Sequence, residues 1–130
     1  MGNRKENSTN KLNEDQIMSC DLAYAICKMG GRWKLLILCK LELGKLRFGE
    51  IRKQIPAITE RMLTLQLREL EKDGLVKRKV YAEVPPRVDY ELTDIAYELI
   101  PIWSKLRKWG AKHRSVLTDK ELLNVVPELH

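Results

Sequence analysis

A mainly α fold carrying one small β-hairpin, with about five helices and a two-stranded ribbon, is what the sequence predicts. Three observations support it. Apolar residues recur at helical spacing in four successive segments up to Asp73; the pattern then changes to short Val- and Tyr-rich runs on either side of Pro85-Pro86; and helical spacing returns after Thr93. With 130 residues, 44% of them hydrophobic, the chain has room for one domain around one core.

The first helix is expected over about residues 20 to 29, where Leu22, Ala23, Ile26, Cys27 and Met29 form an apolar stripe in need of a partner and Gly30-Gly31 ends the pattern. Trp33 to Leu43, WKLLILCKLEL, is apolar nearly all the way round, as in a helix packed from several sides, and stops at Gly44. Trp33 and Tyr90 read as core residues rather than as ligand-stacking aromatics. A short third helix follows over Arg47 to Ile55, with Phe48, Ile51 and Ile55 on one side and Pro56 closing it.

After a tight Pro56-Ala57-Ile58 connection, Thr59 stands where a hydroxyl can cap exposed backbone amides. Ile58 and Leu63 hold the flanking positions of a hydrophobic staple, so a fourth helix is expected from Glu60 to about Asp73, stopped by Gly74. LVKRKVYAEV and RVDYEL then make the hairpin. Thr93 is expected to cap a long last helix through Ile95, Leu99, Ile100, Ile102, Trp103, Leu106 and Trp109 to about Arg114, bent at Pro101.

Successive helices, a tight turn, one more helix and then a hairpin is the winged helix-turn-helix order, in which the helix after the turn enters the major groove of DNA. The two faces of the fourth helix fit that role. At about 100° per residue, Leu63, Leu67 and Leu70 share the inner side, while Arg61, Leu65, Arg68 and Lys72 fall opposite, with Thr64 flanking. Arg and Lys can neutralise phosphate or reach guanine, and Thr64 and Leu65 suit a thymine methyl. On an arbitrary helix the same cations would be a solvated face paired with Glu69 and Glu71; the helix-turn before and the hairpin after favour DNA.

The hairpin adds Lys77, Arg78 and Lys79 on its first strand and Arg87 after Pro85-Pro86, where a wing would meet backbone or minor groove. For Lys77 and Lys79, protection of a strand edge is the competing use. Residues 45 to 90 hold eleven Lys and Arg against seven Asp and Glu, so most of the net charge of +6 belongs to this segment.

Catalytic and metal chemistry find little material. The cysteines, Cys20, Cys27 and Cys39, are odd in number and lack paired spacing, and the histidines, His113 and His130, lie near the C-terminus. Gly30-Gly31 lacks the preceding strand and following Lys-Ser or Lys-Thr of a phosphate loop. No metal and no cofactor are expected. Cys27 and Cys39, among apolar neighbours, are expected to behave as small buried hydrophobes. Cys20 is placed differently. At a helix N-terminus the unpaired amides favour an anion, against the opposing charge of Asp21, which makes Cys20 the candidate sensor for an oxidant or electrophile. A disulfide from Cys20 to Cys27, about 10 Å along the helix, is out of reach, so a bond from Cys20 would more easily cross to another subunit.

The sequence resembles the HxlR-type winged helix-turn-helix regulators of bacteria and archaea, similar in architecture to the MarR group. The blocks that carry the resemblance are GGRWKLLIL at 30 to 38, RFGEIRKQIPAITERMLTLQLRELEKDGLVKR at 47 to 78 and VYAEVPPRVDYELT at 80 to 93, within a match from Cys20 to about His113. It implies a homodimer on a pseudo-palindromic operator, with residues 60 to 73 as reader, 75 to 92 as wing, and dimer contacts from the first and last helices. Leu22, Ile26, Leu99, Trp103, Leu106 and Trp109 are the candidates for those contacts, Leu99 and Trp103 packing inward or across the two-fold. Many members carry a cysteine at the position of Cys20, reactive in the thiol-sensing ones; here Asp21 replaces the common following proline.

The expected organisation is a polar arm over 1 to 16, a DNA-binding and dimerisation domain over 17 to 114, and a tail over 115 to 130. The arm lacks the apolar stretch of a secretory signal and charges interrupt every hydrophobic segment, so a cytoplasmic protein without membrane contact is expected. The expected partners are double-stranded DNA and a second copy of the chain. A winged-helix module that binds protein instead of DNA is the alternative, and a thiol enzyme, with no base near a cysteine in sequence, is the third class.

Overall fold

The computed structural model describes residues 20–124, with side-chain environments as far as residue 119. The expected polar arm over 1 to 16 and the end of the expected tail, 125 to 130, lie outside the described residues. Six helices and three short strands follow in the order α1 (Asp21–Met29), α2 (Lys34–Lys40), β1 (Leu46–Arg47), α3 (Phe48–Gln54), α4 (Glu60–Lys72), β2 (Val76–Tyr81), β3 (Arg87–Leu92), α5 (Asp94–Tyr97) and α6 (Ile100–Asn124).

The core lies where α2, α3 and α4 meet the sheet and the start of α6. Ile37, Leu38 and Leu41 from α2 and its end, Ile51 from α3, Leu63, Leu67 and Leu70 from α4, and Val76 and Leu92 from the ribbon are buried in one cluster. The segment WKLLILCKLEL is packed over part of its circumference only: Leu35, Ile37, Leu38, Cys39 and Leu41 lie in or against this cluster, as do Trp33 and Tyr90, but Leu36 and Leu43 are exposed and the helix ends at Lys40 rather than running to Leu43. α1 stands apart: none of its residues is buried.

The hairpin is part of a three-stranded antiparallel sheet of order β1-β3-β2. β1 is two residues long and pairs Leu46 with Tyr90 and Arg47 with Asp89. A segment so short has no period to read, and the sequence therefore predicts two strands where three form.

The expected single last helix is divided. Leu99 bonds back to the Ala96 carbonyl at 2.9 Å, a tightened turn that ends α5, and Trp103 to the Leu99 carbonyl at 3.0 Å starts α6. Pro101 is the second residue of α6, where the missing N–H has no partner to lose, so it starts a helix rather than bending one. α6 also continues past Arg114 to Asn124. Thr93 precedes α5 as expected but makes no side-chain cap; its hydroxyl donates to the Gly74 carbonyl at 2.6 Å, tying the end of β3 to the end of α4.

Candidate nucleic-acid interface

α4 is fixed at both ends by local chemistry. Thr59 Oγ1 accepts from the Met62 amide at 3.1 Å, and Ile58 and Leu63 are both buried on either side of that cap. At the other end Gly74, at φ 75°, lets the chain turn back. Its amide reaches the Glu71 carbonyl at 3.0 Å and the Leu75 amide the Leu70 carbonyl at 2.9 Å, with Leu70 and Leu75 buried together. With Leu63, Leu67 and Leu70 held in the core, rotation of α4 is settled and Arg61, Leu65, Arg68 and Lys72 are exposed on its outer side. Thr64 is half-buried, and its hydroxyl donates to the Glu60 carbonyl at 2.9 Å.

Every carboxylate of α4, and Asp73 just after it, pairs with a cation from another element. Glu60 faces Arg52 of α3 at 3.5 Å, Glu69 faces Lys34 of α2 at 2.8 Å, Glu71 faces Arg78 of β2 at 3.8 Å, and Asp73 faces Lys28 of α1 at 3.3 Å. The Asp73 carboxylate accordingly raises the Lys28 ammonium above its ordinary range. Exposed pairs of this kind add little stability. Their importance is where they leave charge: among the described residues Arg61, Arg68 and Lys72 have no carboxylate within salt-bridge distance. The solvated-face reading needed Glu69 and Glu71 as their partners, and both are engaged elsewhere.

A groove of about 570 Å³ runs along this face, lined by Glu60, Arg61, Thr64, Leu65 and Arg68. A smaller hollow of about 220 Å³, lined by Thr64, Leu67, Arg68, Glu71, Arg78 and Tyr90, joins it to the ribbon. Burial raises the Tyr90 phenol there above its usual range.

The ribbon does not present its cations as one group. Successive residues of a strand point to opposite sides, so Arg78, opposite Tyr90, shares the face that meets α4, while Lys77, opposite Glu91, and Lys79, opposite Asp89, take the other. Lys77 lies 3.8 Å from Glu91. Arg87 is more engaged than its position suggests. Its guanidinium stacks 3.9 Å from the Tyr81 ring centroid, directly across the ribbon, and lies 3.6 Å from both Glu83 and the buried Asp89. Lys79 and Lys45 also approach that ring, at 5.1 and 6.0 Å.

The candidate dimer residues separate into two sets. Trp103 is only 2% exposed and its Nε1–H donates to Glu42 Oε1 at 2.7 Å. The chain's own core has taken it, leaving no surface for a partner, and Leu99 packs partly against the same core. Leu22, Ile26, Leu106 and Trp109 are exposed, Leu22 at 70% and Trp109 at 63%, the latter stacked on His113 at 4.9 Å. Cys20 is exposed at the head of α1. Cys27 is exposed too, against the expectation of burial: its neighbours in sequence are apolar, but α1 buries none of them. Cys39 is partly buried, and that burial raises its thiol above the usual range.

Sequence reading missed the Lys45, Tyr81 and Asp89 contacts that surround Arg87 on the ribbon. A register centred on Pro85-Pro86 would have set Tyr81 opposite Tyr90, whereas the ribbon turns about Val84 and sets it opposite Arg87; the buried Asp89 had no signal in the sequence. Among the described residues no cluster of potential metal ligands occurs, and no helix is long and apolar enough to cross a membrane.

Residues 28–118 match the family described as HxlR-like helix-turn-helix. An uncharacterized HTH-type transcriptional regulator of Methanothermobacter thermautotrophicus is 49% identical over 83% of this chain and 82% of its own. Among solved structures, the redox regulator HypR in its reduced form is 45% identical with a TM-score of 0.73, over 77% of this chain and 99% of that one. Quinone-bound YodB from Bacillus subtilis is 32% identical with a TM-score of 0.61, over 70% of this chain and 96% of that one.

Proposed function

The chain belongs to the HxlR-like helix-turn-helix family, and from that premise we propose that it works as a homodimer in the cytoplasm, reading a pseudo-palindromic operator with α4 while the ribbon serves as wing. It is a transcription regulator of the HxlR type, and its relatives are regulators rather than enzymes.

The observation that carries the operator reading is the sorting of charge on α4. Its carboxylates pair with cations of α2, α3 and β2, so among the described residues Arg61, Arg68 and Lys72 face outward uncompensated, the two arginines lining a groove. Such a face suits a polyanion, and Arg in particular suits guanine O6 and N7. Thr59, at the entry of α4, and Lys77, Arg78 and Lys79 of the ribbon complete the proposed surface, with Arg87 beside them engaged by Tyr81, Glu83 and Asp89 and supporting the ribbon's shape.

Dimerisation is supported by apolar surface that the protomer leaves uncovered on α1 and α6. Cys20 is proposed as the point where an oxidant or electrophile acts. It is exposed on α1, and the Lys28–Asp73 pair joins α1 to the end of α4, so a shift of α1 would reach the reader. HypR is described as a redox regulator in oxidized and reduced forms, and YodB has been seen quinone-bound; both descriptions suit a thiol-reactive signal here.

The test is selection of bound sites from random duplex DNA. The reading expects convergence on two half-sites related by two-fold symmetry, with centres about one helical turn or a multiple apart, and affinity that falls steeply with salt. Failure to select any duplex, together with salt-insensitive binding to a protein partner, would favour the protein-interaction module.

A further inference from the structure

Leu65 is the only large apolar side chain exposed on α4 among the described residues, at 46%. An exposed leucine alone is ordinary surface. Its surroundings are not ordinary. Arg61 lies one turn before it and Arg68 one turn after, both without a carboxylate in reach among the described residues, and all three line the same groove. A polyanion drawn to the two arginines would therefore close over Leu65 and strip it of water.

The floor of the DNA major groove offers hydrogen-bonding atoms from every base but only one apolar group, the C5 methyl of thymine. Thr64 is the neighbouring candidate for that methyl, yet it is half-buried, whereas Leu65 is exposed. We propose that Leu65 packs on a thymine C5 methyl in each half-site, at a base between those approached by Arg61 and Arg68. Helical rise places Leu65 about 6 Å from Arg61 and about 4.5 Å from Arg68 along the axis, so the methyl belongs within about two base pairs of either arginine's target. This inference rests on the operator reading above.

Deoxyuridine keeps every hydrogen-bonding group of thymine and lacks the methyl. Replacing the thymines of a selected operator one at a time should reveal one position per half-site where the wild type loses about fourfold in affinity, the share of one buried methyl group. The Leu65→Ala variant should bind the thymine duplex about as weakly as the wild type binds the substituted one and be indifferent to the exchange. A wild type insensitive to deoxyuridine at every position, or a Leu65→Ala variant equally sensitive to it, overturns the assignment while operator binding stands. A protein that selects no duplex overturns both.

Discussion

Arg68 belongs to the proposed DNA surface and Arg87 stands beside it, and their surroundings ask different things of them. Among the described residues Arg68 has no ion-pair partner, whereas Arg87 is stacked on Tyr81 and flanked by Glu83 and Asp89, with its Nε buried and without a hydrogen bond. A guanidinium held in that way, at the last pair of the ribbon before its loop, shapes the tip of the wing. Arg87→Ala should weaken DNA binding by loosening the ribbon while leaving the slope of log affinity against log salt unchanged. A slope reduced by about one would instead mark a lost phosphate contact. The cysteines differ in the same local manner. Partial burial and a raised thiol pKa leave Cys39 less thiolate at neutral pH, so its alkylation should be slower than that of exposed Cys20 and should accelerate as pH rises into the alkaline range. Mass spectrometry of the folded protein after timed alkylation would read this, and equal rates at the two sites would contradict it.

Among the elements, α4 is the one whose ends are most completely specified. Thr59→Ala should cost about 1 kcal/mol by removing the acceptor for the Met62 amide. At Gly74 an added Cβ meets nothing within 4 Å, so Gly74→Ala should cost about 1 to 2 kcal/mol through its positive φ alone. Denaturant midpoints with an unchanged m-value would measure both. These signals were legible in the sequence because capping, staple and glycine stop act within a few residues, and the leucine spacing shows which face turns inward. Elements defined by distant partners were not legible. β1 exists because Leu46 and Arg47 find β3 more than forty residues later. For Trp103 the sequence left inward packing and a place across the two-fold both open; on folding it is buried in the core and its indole donates to Glu42, sixty-one residues earlier. The partners of Glu69, Glu71 and Asp73 come from three other elements, so the freedom of Arg61 and Arg68 emerges only on folding. Cys27 failed for the converse reason: helical periodicity shows that α1 has an apolar stripe, not whether the same protomer covers it.

For the whole molecule, that uncovered stripe is the main structural imbalance. α1 contributes nothing buried, and Ile102, Leu106 and Trp109 of α6 add further exposed apolar surface. A second copy would cover both, and sedimentation should find a dimer at micromolar concentration. Ile26→Glu combined with Trp109→Glu should give a monomer with helical content retained; a wild-type monomer that still binds operator would remove the dimer from the account. Two-fold symmetry, reader, wing and sensor all depend on one claim, that the uncompensated cations of α4 meet DNA. The direct measurement is the operator affinity of an Arg61→Ala, Arg68→Ala variant beside the wild type. Both side chains are exposed and, among the described residues, unpaired, so folding should survive their loss. The account predicts a fall of at least about tenfold, since each base contact is worth roughly 1 to 3 kcal/mol; undiminished affinity of the folded double variant would contradict it.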